Sequence, residues 1–209
     1  MKNLSLLRSW FWLYFLAILG LIIMVIVSDM FEIPLSSFTR DQSVVLDGKP
    51  FHGFLSSVGV LFWSWTAASA LFYYALLKKS GDKSEFPKFV LMGGSLTLLL
   101  LLDDFFMFHE WLLPGLGINE KIVILSYVLF TIVYLVKFRQ IILQRDYSLL
   151  LMAIFFFILS VLEDMLRLAP GMWHDLLEDG TKFLGIISWF CYHISLYYRE
   201  SNFIEHKKL

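Results

Sequence analysis

Two adjacent carboxylates, Asp103 and Asp104, interrupt an otherwise apolar run, and His109 and Glu110 follow within two helical turns. A second acidic pair, Glu163 and Asp164, stands in a comparable setting, with Ser160 one turn before Asp164 and Arg167 one turn after Glu163. Lys182 and His193 bracket a third apolar stretch. Carboxylates and imidazoles together bind divalent cations, and an ion so held activates water for hydrolysis. The same groups pass protons, because burial and neighbouring like charge keep a carboxylic acid protonated at unusually high pH. Asp103, Asp104, Glu163 and Asp164 are the expected catalytic acids. Asp103, Asp104, Asp164, His193, His109 and Glu110 are the expected ligands of a divalent metal, with Ser160, Arg167 and Lys182 completing the polar site.

Each feature also has a plainer reading. Glu163 and Arg167 are four apart, the spacing of an intrahelical ion pair. Lys182 stands at the edge of its apolar stretch, where a long stem carries the ammonium to the interface. A lone histidine such as His193 is commonly hydrogen-bonded within a core. His109 and Glu110 are adjacent, whereas helices that bind metal set their ligands three or four apart on one face. At about 100° per residue, no straight helix aims His109 and both aspartates at one point. Either His109 serves the interface or the helix distorts before Pro114.

The elements that must carry these residues follow from composition. The 209 residues are 58% hydrophobic and only 17% charged, and mean hydropathy is +0.71, below the roughly 25% charge of soluble domains. The expected fold class is all-α, a polytopic integral membrane protein built as one domain over residues 1–209. A helix needs about 20 mostly apolar residues to cross the hydrocarbon core. Six stretches meet that need, at about 10–28, 54–77, 89–113, 121–138, 147–167 and 182–199. The first resembles a secretory signal, but its apolar run is long and lacks a small-residue cleavage site, so a retained helix is expected.

Charge sets the orientation. With the N-terminus inside, twelve of the 17 Lys and Arg residues fall on the cytoplasmic side and five opposite. An even number of spans preserves that bias at every loop, which predicts an N-in/C-in bundle. The compact loops favour a bacterial inner (cytoplasmic) membrane, with the lipid bilayer as partner. Asp47-Gly48 has hairpin character within the longest loop. Asn119 is placed to cap the fourth helix, and 172–178 reads as a short interfacial helix stopped by Gly180. One faint echo joins Leu-Leu-Asp-Asp…Leu-Leu-Pro-Gly to Val-Leu-Glu-Asp…Leu-Ala-Pro-Gly; a duplicated hairpin is one reading, and chance similarity between apolar segments is the expected one.

Charged residues inside spans face a protein interior or water. Asp103 and Asp104 fall about 3–5 Å beyond the middle of their helix on the non-cytoplasmic side, and Glu163 and Asp164 about 9–11 Å beyond theirs. The cytoplasmic halves of both helices carry no ionisable group, so the site opens outward and is blind inward. A net charge of −1 gives no basic field for nucleic acid. No Gly-x-Ser-x-Gly, His-Glu-x-x-His or phosphate-loop motif occurs. The leading expectation is a metal-dependent, membrane-embedded hydrolase of a lipid-like substrate. A proton- or ion-coupled transporter is the second, and a non-catalytic subunit held by structural ion pairs is the third.

Overall fold

The computed structural model describes residues 15, 18–39, 52–167 and 169–206. Much of the first expected span, the Asp47-Gly48 hairpin and the terminal lysines lie outside the described residues. The chain divides into two compact units, residues 1–54 and 55–209. In the first, α1 is a short apolar helix, Ile18–Met30, followed by the single turn α2, Ser36–Thr39.

The second unit holds every described site residue. Helix α3 (Phe54–Lys79) leads through a turn at Gly81 into α4 (Phe86–Phe106). Pro87 occupies the first turn of α4, where its missing N–H costs nothing, and the Phe86 N–H donates to Ser84 Oγ at 3.2 Å. A π-helical turn, Phe108–Leu112, and the short α5, Leu113–Gly115, follow. Asn119 caps α6 (Glu120–Lys137), its side chain accepting from the Lys121 N–H at 2.9 Å. After α7 (Arg139–Leu143) come α8 (Ser148–Leu166) and the long α9 (Met172–His206), and α8 packs along α9.

Two expectations of element limits are corrected. Helix α4 does not run to residue 113 but ends at Phe106, because Met107 takes a left-handed backbone, φ 51°. Gly180 does not stop a helix: α9 passes through it unbroken. An interior glycine costs only about 1 kcal/mol relative to alanine, which 34 other helical positions readily absorb.

Among the described residues every regular element is helical. Three of the described helices are long and apolar enough to cross a membrane: α3, α4 and α8. Their outward faces are apolar, with Phe72, Leu151 and Phe155 each more than half exposed. Water would oppose so much exposed apolar surface, and acyl chains accept it. The core is largely aromatic: Phe89 stacks on Tyr134 at 5.3 Å and Trp63 on Phe157 at 5.8 Å. Small residues bring helices close, since a Cβ on Gly94 would lie 2.8 Å from Ala70 Cβ.

Candidate functional site: an acidic cavity at two helix ends

The first acid of each pair closes its own helix. Asp103 is buried and accepts from the His109 N–H at 3.0 Å, His109 Nδ1 at 2.5 Å and the Tyr127 hydroxyl at 2.8 Å. Glu163 is buried and accepts from the Ala169 N–H at 2.9 Å and His174 Nδ1 at 3.0 Å. In both cases the residue four positions on, Met107 or Arg167, adopts a left-handed conformation and donates its N–H to the acid's own carbonyl. In both cases the N–H six positions on returns to the carboxylate. The sequence echo therefore corresponds to one local device used twice. A left-handed non-glycine residue costs about 1–2 kcal/mol, and the bonds to the carboxylate offset that strain.

This geometry answers the question posed by helical phase. The helix distorts at Met107, and the π turn swings His109 back over Asp103. It also redirects Glu163. Arg167 has left the helix, and the described partners of the Glu163 carboxylate are the Ala169 N–H and His174, in place of an i, i+4 ion pair.

Each histidine then reaches a second carboxylate. His109 Nε2 lies 3.5 Å from Glu110, and His174 Nε2 lies 3.3 Å from Glu178. A buried acid at Nδ1 fixes Nδ1 as the donor and leaves Nε2 as the exchangeable end. The result is two acid–histidine–acid relays, Asp103–His109–Glu110 and Glu163–His174–Glu178.

The second acid of each pair faces a cavity of about 460 Å³. Among the described residues seven carboxylates line it, from Asp104, Glu110, Glu120, Asp164, Asp175, Glu178 and Asp179, against the single ammonium of Lys182. Lys182 Nζ donates to Asp104 at 2.5 Å. Below that pair a recess of about 20 Å³ ends against Leu55, Phe183 and Ile186. Burial raises the Glu178 carboxyl above its ordinary pKa, and Asp164 and Asp179 add to the effect. Burial likewise raises Asp179, with Lys182 opposing. Helices α4 and α8 also direct the negative ends of their dipoles toward this region.

The expected residues separate into three groups. Asp104, Asp164, Glu110, His109 and Lys182 share the cavity. Asp103 and Glu163 do not line it and each holds a histidine, His109 on the cavity wall and His174 beside Glu178. His193 is fully buried in the aromatic core, bonded through Nδ1 to the Trp189 carbonyl at 3.0 Å, and Ser160 is buried within α8. Among the described residues no three His, Cys, Asp or Glu side chains are gathered closely enough to grip a metal directly. Tyr127, which nothing in the sequence singles out, belongs to the site, as do His174, Glu178 and Asp179, which the sequence places near its mouth without assigning them a role.

Fold and site together define an all-helical protein with helices long and apolar enough to cross a membrane and an acidic cavity at the ends of two of them. The chain belongs to the family described as a domain of unknown function, DUF8692, which it matches over residues 12–196. No curated protein and no solved structure matches it.

Proposed function

We propose that the chain is a six-span, N-in/C-in protein of a bacterial inner membrane whose acidic cavity opens outward and binds a hydrated divalent cation, exchanging it against protons. One observation carries this reading: among the described residues seven carboxylates and one ammonium, itself engaged by Asp104, face a cavity of about 460 Å³. Such an excess of negative charge around one hollow concentrates cations. The carboxylates are spread around the cavity, so the ion keeps its water shell and is held loosely. Loose, multi-site binding suits capture and release. The two relays supply the protons that leave as the cation enters, because a carboxylate or imidazole facing a divalent ion gives up its proton.

The metal-dependent hydrolase is the weaker proposal. A hydrolytic ion needs a fixed coordination sphere with one open position, whereas Asp103, Asp104 and Glu163 are already committed to histidine or lysine partners. The structural-subunit proposal accounts for those partners but not for the seven-to-one imbalance.

Purified protein in proteoliposomes, given external Mn²⁺ with a pH-sensitive dye inside or outside, tests the proposal. Cation entry coupled to proton movement, lost in Asp104→Asn/Asp164→Asn, is the expected result. Lipid hydrolysis without cation movement would reverse the order of the readings, and loss of stability alone would leave only the subunit.

A further inference from the structure

Five buried side-chain atoms among the described residues have no hydrogen-bond partner in the protein: the hydroxyls of Tyr73, Tyr134, Tyr192 and Tyr197, and Nε2 of His193. They come from α3, α6 and α9 and pack as one group. Tyr73 stacks on Tyr197 at 4.9 Å, and the His193 ring lies 5.1 Å from Tyr192 and 5.8 Å from Tyr197. Buried polar atoms are almost always paired, and each exception calls for a partner such as an internal water.

Gly93 on α4 marks where that partner sits. The Tyr134 hydroxyl is 2.9 Å, and His193 Nε2 3.2 Å, from the point a Cβ on Gly93 would occupy. Both atoms therefore look onto the same bare face of the glycine. Their hydrogen-bonding roles are complementary. His193 Nδ1 lies 3.0 Å from the Trp189 carbonyl, which can only accept, so Nδ1 carries the proton and Nε2 presents a lone pair. The Tyr134 hydroxyl both donates and accepts. A Cβ at that point would crowd both atoms, whereas a water seated against the bare Gly93 Cα at van der Waals distance makes such close approaches as hydrogen bonds.

We propose that the Gly93 face is a buried water site, held by His193 Nε2 and the Tyr134 hydroxyl. It is separate from the acidic cavity: His193 lies eleven residues beyond Lys182 on α9, about 16 Å along the helix. Between them the Trp189 indole N–H donates to Thr97 at 2.9 Å, and Thr97 donates to the Gly93 carbonyl at 2.8 Å. The site gives the middle of the bundle a hydrated imidazole whose free nitrogen exchanges protons with its water.

Solid-state NMR on the full chain in lipid bilayers, with ¹⁵N-labelled histidine, tests this directly. The His193 resonances are identified by their loss in His193→Gln. Magnetisation transfer from water protons to His193 Nε2 is expected in the native sequence and should vanish in Gly93→Ala. Its absence from the native sequence, or its persistence in Gly93→Ala, would overturn the site. Tyr134→Phe gives a second reading that does not depend on Gly93→Ala folding. Losing a water-bridged hydroxyl should lower the thermal midpoint by about 2–4 °C. A hydroxyl with no partner would instead raise the midpoint when removed, which would refute the proposal.

Discussion

Replacing Lys182 by Met removes the ammonium that Asp104 meets at 2.5 Å and keeps most of the apolar stem. The Asp104 carboxylate is then stranded among six others around the cavity. Breaking a fully buried ion pair by removing one partner costs about 3–5 kcal/mol, and breaking an exposed one about 0–1 kcal/mol. The Asp104 side chain is 8% exposed and that of Lys182 is 33% exposed, which sets this pair between the limits, at about 2 kcal/mol. For a chain of this length that lowers the thermal midpoint by about 4–8 °C. The loss arises from the stranded charge, so Asp104→Asn in the Lys182→Met background should restore at least half of it. Asp104→Asn alone should be milder, because the ammonium still faces the remaining carboxylates. Scanning fluorimetry of the four proteins in detergent at pH 7 closes the cycle. A double variant less stable than Lys182→Met by the full cost of Asp104→Asn alone would show that the two side chains are not coupled and refute the reasoning.

Three further outcomes are expected. Tyr127→Phe removes one of the bonds to the buried Asp103 carboxylate and should cost about 1 kcal/mol, whereas Asp103→Ala strands several donors and should cost about 3 kcal/mol, both read by chemical denaturation. Glu178 and Asp179 hold their protons to higher pH in the folded chain than in the unfolded one. Their contribution to stability is therefore full below the unfolded carboxyl range, near pH 4, and declines as pH rises through the folded values. Asp179→Asn should raise the midpoint at pH 7 and leave it little changed at pH 4, and an equal change at both pH values would count against the shift. Gly185→Ala places a Cβ 2.7 Å from the Phe157 ring and should cost about 1–3 kcal/mol, a loss that Phe157→Leu in the same chain should partly recover.

The apolar helices were legible because the bilayer imposes a length that composition alone reveals. The capping of α6 was legible too, since Asn119 satisfies a free helical N–H by purely local chemistry. Local chemistry did not reveal the helix break at Met107, a residue with no breaking character of its own. The distant Tyr127 and the returning His109 both close on Asp103 and stabilise that turn. The assumed stop at Gly180 hid a pattern that was present in the sequence. Asp175, Glu178, Asp179 and Lys182 are spaced i, i+3, i+4 and i+7, a single stripe on α9 facing the cavity. Reading the glycine as tolerated would have exposed that stripe. His174 came into the site through the left-handed turn at Arg167 and the Pro170-Gly171 corner, a chain reversal that periodicity does not encode.

The most direct test of the acidic cavity is the affinity of the purified protein for Mn²⁺, measured by titration calorimetry or electron paramagnetic resonance at low ionic strength. The expected result is saturable binding that strengthens about tenfold in Lys182→Gln, since one fewer positive charge opposes the ion at close range, and weakens by a similar factor in Asp164→Asn/Asp179→Asn. Binding that is absent, or unchanged by either substitution, would contradict the account.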